Sequence, residues 1–194
     1  MTVAILKYNA GNTKSVALAL HRLGAEAVVT DDPLVLRASS KVIVPGVGAA
    51  RSAMEYLRGR KLDQVIKSLT QPVLGVCLGQ QLFCSFSEEE DTECLDIIPL
   101  QVERFRTPKK VPHMGWNKLT ELRGELFQDL PEEAYAYFVH SYRAPVSPEF
   151  TVASAQHGEV FSAALRRSNF FATQFHPEKS GKVGEQILRN FLAI

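Results

Sequence analysis

The sequence predicts an α/β fold: a mostly parallel central sheet with helices on both faces, plus an antiparallel β extension. Three observations predict it. Short β-branched runs alternate with helical patterns as far as Val76, the texture turns after Ser85 to strand-like runs broken by Pro and Gly, and the chain closes on an amphipathic helical stretch.

The first segment, Met1 to Tyr8, reads as an immediate strand whose apolar run is Val3 to Tyr8. Thr13 to Leu23 has a helical pattern, with Asn12 placed as its N-cap. Strand-like runs follow at Ala25 to Val29 and Lys41 to Val44, then a helical stretch from Ala50 to Leu69 and a buried-looking strand from Pro72 to Val76. Strands separated by helices favour parallel pairing through right-handed crossovers. Beyond Ser85 the runs Gln101 to Phe105, Asn117 to Glu121, Ala134 to Val139, Thr151 to Ala155, Val160 to Leu165 and Phe170 to Phe175 are expected to include antiparallel pairs. In Lys182 to Leu192, the residues Val183, Ile187, Leu188 and Phe191 share one helical face that packs back on the sheet.

A length of 194 residues with 45% apolar and 22% charged residues suits one domain, 1–194, with a substantial core. The formal charge of +1, from 22 basic and 21 acidic residues, lacks the electrostatic footprint that broad phosphate or membrane-surface binding needs. The first residues have no basic region followed by an apolar one, and no apolar stretch could span a bilayer, so the expected location is the cytosol. Three cysteines (Cys77, Cys84 and Cys94) argue against a disulfide framework and permit a thiol kept for chemistry. With no paired CxxC or HxxxH spacing, no metal and no cofactor are expected.

In Gly75-Val76-Cys77-Leu78-Gly79-Gln80-Gln81, glycines stand two residues before and two after Cys77, between an apolar strand and a helix-compatible run. This is a nucleophile-elbow pattern with Cys in place of Ser. Small flanking residues let the backbone approach itself in a strained turn that pushes the thiol outward. The helix start favours a thiolate and offers the Leu78 amide to an oxyanion.

The base is found in Phe175-His176-Pro177-Glu178. In extended backbone, residues two apart project to one side, so Glu178 can hold one ring nitrogen of His176 while the other faces a thiol; Pro177 stiffens the spacing. Cys77 as nucleophile, His176 as base and later acid, and Glu178 as the group that fixes the tautomer complete a triad. Among the other histidines, His21 reads as a helix-surface residue, and none, His157 included, has a rigidly placed carboxylate. His113 and His140 lie in loop-like motifs and could line the cleft.

The turn Pro45-Gly46-Val47-Gly48 ends the strand Lys41 to Val44 at the same sheet edge as Cys77, where open α/β folds bind ligands. Its Val47 or Gly48 amide can supply a second oxyanion donor. A dinucleotide reading of Gly46 to Arg51 fails because Arg51 stands where a third small residue is required, and Gly11-Asn12-Thr13-Lys14-Ser15 lacks the glycine before Lys14 that a phosphate loop needs. The acidic run Glu88 to Asp91 and the basic stretch Arg104 to Lys110 are read as solvated loops without chemistry.

Taken together, the Pro45 to Gly48 turn, the Cys77 elbow and Gln174-Phe175-His176-Pro177-Glu178 resemble the class I (triad) glutamine amidotransferases, in order and across most of the chain. Within that group, Tyr8 to Asn12, Val111 to Asn117, Tyr137 to Tyr142 and His176 to Ser180 look like the glutaminase subunit of imidazole glycerol phosphate synthase. The resemblance implies a flavodoxin-like sheet and hydrolysis of glutamine to glutamate. It also implies transfer of ammonia to a (β/α)8-barrel cyclase subunit, in a heterodimer that serves histidine biosynthesis. It further implies glutamine contacts from Gly48, Leu78 and Gln81, backbone help from Ser141 and Tyr142, and a cyclase-facing surface near Asn12, Trp116 and Lys179. The residues leave other readings open: the same chemistry for another synthase, such as that of pyridoxal phosphate, a cysteine peptidase, or a binding module with a redox-sensitive Cys77.

Overall fold

The computed structural model describes residues 2–9 and 11–194. Met1 and Ala10, which the sequence reading puts at the head of the first strand and within the Tyr8 to Asn12 motif, lie outside the described residues.

The first half alternates as expected: β1 (Thr2–Leu6), α1 (Thr13–Arg22), β2 (Glu26–Thr30), α2 (Pro33–Ala38), β3 (Lys41–Val44), α3 (Ala50–Gly59), α4 (Leu62–Lys67), β4 (Val73–Val76) and α5 (Leu78–Phe83). The second half is largely strand: β5 (Cys84–Ser87), β6 (Thr92–Glu93), β7 (Ile98–Arg104), β8 (His113–Lys118), β9 (Tyr135–His140), β10 (Tyr142–Arg143), β11 (Thr151–His157), β12 (Glu159–Arg167) and β13 (Phe170–Thr173), followed by α6 (Gly181–Ala193).

Seven strands form the central sheet in the order β11-β12-β13-β4-β3-β1-β2. Its β13-β4-β3-β1-β2 part is parallel, and β11 and β12 extend it antiparallel. Strand alternation divides two cores. Ala4, Leu6, Val42, Val44 and Val73 face α2, α3 and α4, whereas Val3, Ile5, Ile43, Leu74 and Val76 face α1 and α6. Ile187, Leu188 and Phe191 of α6 are buried in the second core, as their shared face requires. Two smaller sheets have the orders β10-β7-β5-β6 and β8-β9.

Several boundaries differ from the sequence reading. The stretch from Ala50 to Leu69 is two helices, broken where Lys61 adopts φ 56°. The turn lets α4 bury Leu62, Val65 and Ile66, which a continuous helix would carry to another angle. Helix α2 was not expected; Asp32 caps it by accepting from the Leu34 amide, with Pro33 in its first turn. His113 begins β8, and the run near Thr120 is reduced to an isolated bridge with Ser154.

Candidate active site

The site is built where three adjacent parallel strands end. Cys77 follows β4, His176 and Glu178 follow the neighbouring β13, and the 45–48 turn follows β3 on the other side. A parallel sheet puts these carboxyl ends at one edge, so residues about a hundred positions apart meet there.

Cys77 has φ 53° and ψ −103°, a conformation that a non-glycine residue keeps only when its surroundings impose it. Its amide donates to the Thr173 carbonyl at 2.7 Å, and its carbonyl accepts from the Gln80 and Gln81 amides. The flanking glycines explain how the turn fits. A Cβ on Gly75 would lie 2.7 Å from Phe83, and one on Gly79 would run into the Val44 carbonyl oxygen.

His176 is fully buried, and its Nδ1 lies 2.8 Å from Glu178 Oε1, whose side chain is 1% exposed. Residues Pro177–Lys179 form a single 3₁₀ turn, not the extended backbone expected. The turn achieves the same pairing by bringing Glu178 back onto the Nδ1 side of the ring. Burial alone would lower the pKa of His176, but its interactions with Cys77 and Glu178 outweigh burial and raise it to about 10. Nε2 is buried without a hydrogen-bond partner, on a ring that Cys77 and Glu178 together hold in its protonated form.

Asn12 is not the side-chain N-cap of α1. It takes φ 81° and makes no capping bond, and its Nδ2 donates instead to Glu178 Oε1. The carboxylate is held from a second side, which explains why the residue is spent here and not on the helix.

Over Cys77 opens a cavity of about 290 Å³, walled by Val47, Gly48, Leu78, Gln81, Glu89 and residues 139–142. Thus every predicted triad, oxyanion and glutamine-contact residue lies at one place except His176 and Glu178, which sit beneath it beside Cys77. Gln81 Nε2 donates to the Tyr142 carbonyl and to Gln174 Oε1, both at 3.1 Å, and Gln174 Nε2 lies 3.7 Å from Cys77 Sγ. Gln174 had no role in the sequence reading; its full burial next to the predicted histidine strand is visible only in three dimensions.

The acidic run needs correction. Glu89 lines the cavity, accepts from the Ala50 amide at 2.9 Å, and has its carboxyl pushed up by burial. An acidic run looks solvated in sequence because nothing local records that β5 and β6 fold it over the site.

The oxyanion donors are not both free. The Leu78 amide donates to the Gly46 carbonyl at 3.3 Å. Gly46 is tightly enclosed, since a Cβ there would stand 2.8 Å from Leu78 Cβ, and Tyr8 Oη donates to the Pro45 carbonyl beside it. Gly48 holds φ 125°, which favours glycine.

Asn12, Trp116 and Lys179 fall on one side of the site. Trp116 is 58% exposed next to Gly181, close in sequence to exposed Lys179, and Asn12 contacts Glu178. His113 and His140 are not in loops: they pair across β8 and β9, both buried, and only His140 reaches the cavity. Among the described residues no group of His, Cys, Asp and Glu could hold a metal ion, and no helix is long and apolar enough to cross a membrane.

Cys77, His176 and Glu178 thus come together at the end of a parallel sheet, an arrangement suited to a thiol nucleophile with a nearby base. The family model "Glutamine amidotransferase class-I" matches residues 5–194, and the chain belongs to that family. It is 55% identical over 197 residues to the Imidazole glycerol phosphate synthase subunit HisH of Bacteroides fragilis, with all of both chains covered. The same-named protein of Bacteroides thetaiotaomicron is 53% identical, covering 99% of each chain, and that of Idiomarina loihiensis 45%, covering 100% and 98%. Among solved structures, one described as a GMP synthase component from Thermoplasma acidophilum superposes with a TM-score of 0.77 at 22% identity, covering 100% of this chain and 93% of that one. A second, described as a glutamine amidotransferase, gives 0.77 at 21% identity over 98% and 97%. These two likenesses speak to the fold.

Proposed function

We propose that this protein, as one glutaminase domain spanning 1–194, hydrolyses glutamine to glutamate and ammonia in the cytosol. It would supply the ammonia to the cyclase subunit of imidazole glycerol phosphate synthase, in a heterodimer serving histidine biosynthesis. The observation that carries the reading is the strained Cys77 beside a buried His176 whose Nδ1 is fixed by Glu178 at 2.8 Å. The full-length relatives named as subunits of that synthase support the pathway and the partner in this reading.

The Cys77 thiolate attacks the side-chain amide carbon of glutamine, and the carbonyl oxygen takes up the negative charge. His176, kept protonated by its two anionic neighbours, gives its Nε2 proton to the departing nitrogen, which leaves as ammonia. Now neutral, the ring accepts a proton from water as that water attacks the thioester, and collapse returns the thiolate and glutamate. Glu178 keeps the proton on Nδ1 throughout.

Glu89 is a carboxylate among the residues lining the cavity, set apart from the reacting Cys77, so it suits the α-ammonium of a free amino acid. The cavity's small volume favours one amino acid over an extended peptide. With the Leu78 amide engaged by Gly46, the oxyanion has no ready donor there, and basal activity is low. Rotating the Gly46-Val47 peptide frees Leu78 and, because carbonyl and amide share one plane, turns the Val47 amide inward. Each donor gained is worth about 3 kcal/mol. Docking through the Asn12, Trp116 and Lys179 face is the event that favours the rotated state.

The test is glutamate release by the wild type and by Cys77→Ala, each alone and with the cyclase together with its ribotide substrate. Strong stimulation that disappears in Cys77→Ala supports the whole reading. Cys77-dependent release that ignores this cyclase keeps the glutaminase and removes the partner, and no Cys77-dependent release removes the enzyme.

A further inference from the structure

Behind the cavity wall, a chain of polar groups running from the buried His140 and His113 to the half-buried Asn117 has only one self-consistent arrangement of protons. His140 Nδ1 lies 2.7 Å from the Tyr142 carbonyl, which can only accept, so that nitrogen carries the hydrogen. His140 Nε2 is then bare and accepts from His113 Nδ1 at 2.9 Å. His113 Nε2 is bare in turn and accepts from Asn117 Nδ2 at 3.2 Å, and the orientation of that amide is fixed by a second bond to the Gln156 carbonyl at 2.9 Å. The Tyr142 carbonyl also receives Gln81 Nε2, whose second proton goes to Gln174, and Gln174 reaches the Cys77 sulfur. With both Nε2 protons committed, the Oε1 of Gln81, a residue that lines the cavity, is left to accept.

We propose that His113 and Asn117, which do not line the cavity, are positioning residues for glutamine: through His140 they fix the Tyr142 carbonyl and so aim Gln81 at the substrate. The inference rests on the glutaminase reading. Protonating either ring would set two donors face to face within the relay, and burial already disfavours both charged forms. Phe105, Phe138 and Phe161 enclose the two rings, and His157 stacks on His113 with centroids 4.3 Å apart, so neither ring has room to turn. The carbonyl is held in part by His113 and Asn117, which lie off the cavity lining.

The relay makes a prediction independent of catalysis. Long-range 1H-15N correlation of the imidazoles in the full-length protein should report the Nδ1-H tautomer for both His113 and His140, the reverse of the form that prevails in water. In the complex with the cyclase, His113→Phe keeps the ring volume but gives His140 no donor, and should raise the KM for glutamine roughly tenfold with kcat within about twofold, the loss of about one aligned hydrogen bond. His113→Asn places an amide N-H near the former Nδ1 and should recover most of that KM. An Nε2-H tautomer on either ring overturns the proposal, as does an unchanged KM in a folded His113→Phe, or equal defects in the Phe and Asn variants. If the wild type releases no glutamate the glutaminase reading fails, while the tautomer measurement still decides whether the relay exists.

Discussion

Acid should destabilise this protein well before its carboxylates titrate, and the cause is the buried histidine pair. Burial, helped by His157 and Lys109 near His113 and by His113, His157 and His176 near His140, pushes the pKa values down to about 4 and about 3. An unfolded histidine titrates near about 6.5, so below that pH the unfolded chain binds one more proton per ring than the native chain does. Stability is then fully present above about pH 6.5 and falls as the pH drops toward the native values. Each ring approaches a slope of about 1.4 kcal/mol per pH unit once the unfolded form is protonated, so the pair removes about 3 kcal/mol between about pH 6.5 and pH 5. That is a large part of the roughly 5–15 kcal/mol that holds a domain folded. The window is uncluttered. Asp31, Glu88 and Glu159 are lowered by their hydrogen-bonding partners, and their stabilisation is lost only further into acid. His176 is raised to about 10, so its contribution is complete below about pH 6.5 and disappears between there and about pH 10. Glu89, raised by burial, works with the opposite sign. Urea unfolding across the window measures the slope directly, and His113→Phe should halve it. A wild-type stability that is flat between about pH 6.5 and pH 5, or an undiminished slope in the variant, would refute the buried neutral pair.

Other perturbations read different parts of the site. Glu178→Gln removes both the fixed tautomer and one of the charges that raise His176; turnover should fall roughly 10²-fold or more and its alkaline limit should move to lower pH, seen in a kcat profile. Glu89→Gln should raise the KM for glutamine roughly tenfold or more by removing a charge-assisted contact, and should leave the Cys77 reaction with a small alkylating agent unaffected. Gly79→Ala forces a methyl against the Val44 carbonyl, so it should cost about 3 kcal/mol or more and lower the urea midpoint, although no reacting group is altered.

Much of the chemistry was legible in the chain because it rests on local rules. Glycines at 75 and 79 around Cys77 declare a tight strand-to-helix turn whatever surrounds it, and the structure shows each glycine filled against a neighbour. The two-residue spacing of His176 and Glu178 keeps them within reach in an extended segment and in the 3₁₀ turn that actually forms. The alternating strands and helices up to Val76 likewise announce a parallel sheet, and a parallel sheet brings the ends of β3, β4 and β13 together.

Other features belong to tertiary structure alone. Asn12 has the residue type and position of an N-cap, and only the proximity of Glu178 turns it into a second holder of the carboxylate. Glu89 sits in a run that reads as solvent-facing until β5 and β6 fold over the site. His113 and His140 are separated by a long stretch of chain; their tautomers depend on a carbonyl and an amide, and their enclosure on three phenylalanines from different segments. The amide of Leu78 was expected to be free, and the Gly46 carbonyl occupies it. Sequence by itself determined which groups could react and how the backbone must bend to expose them, because those demands are met within a few residues. Which groups are desolvated, which carbonyl claims which donor, and which charge faces the cavity were decided by contacts between distant segments, since burial and hydrogen-bond partnership exist only once the chain has folded.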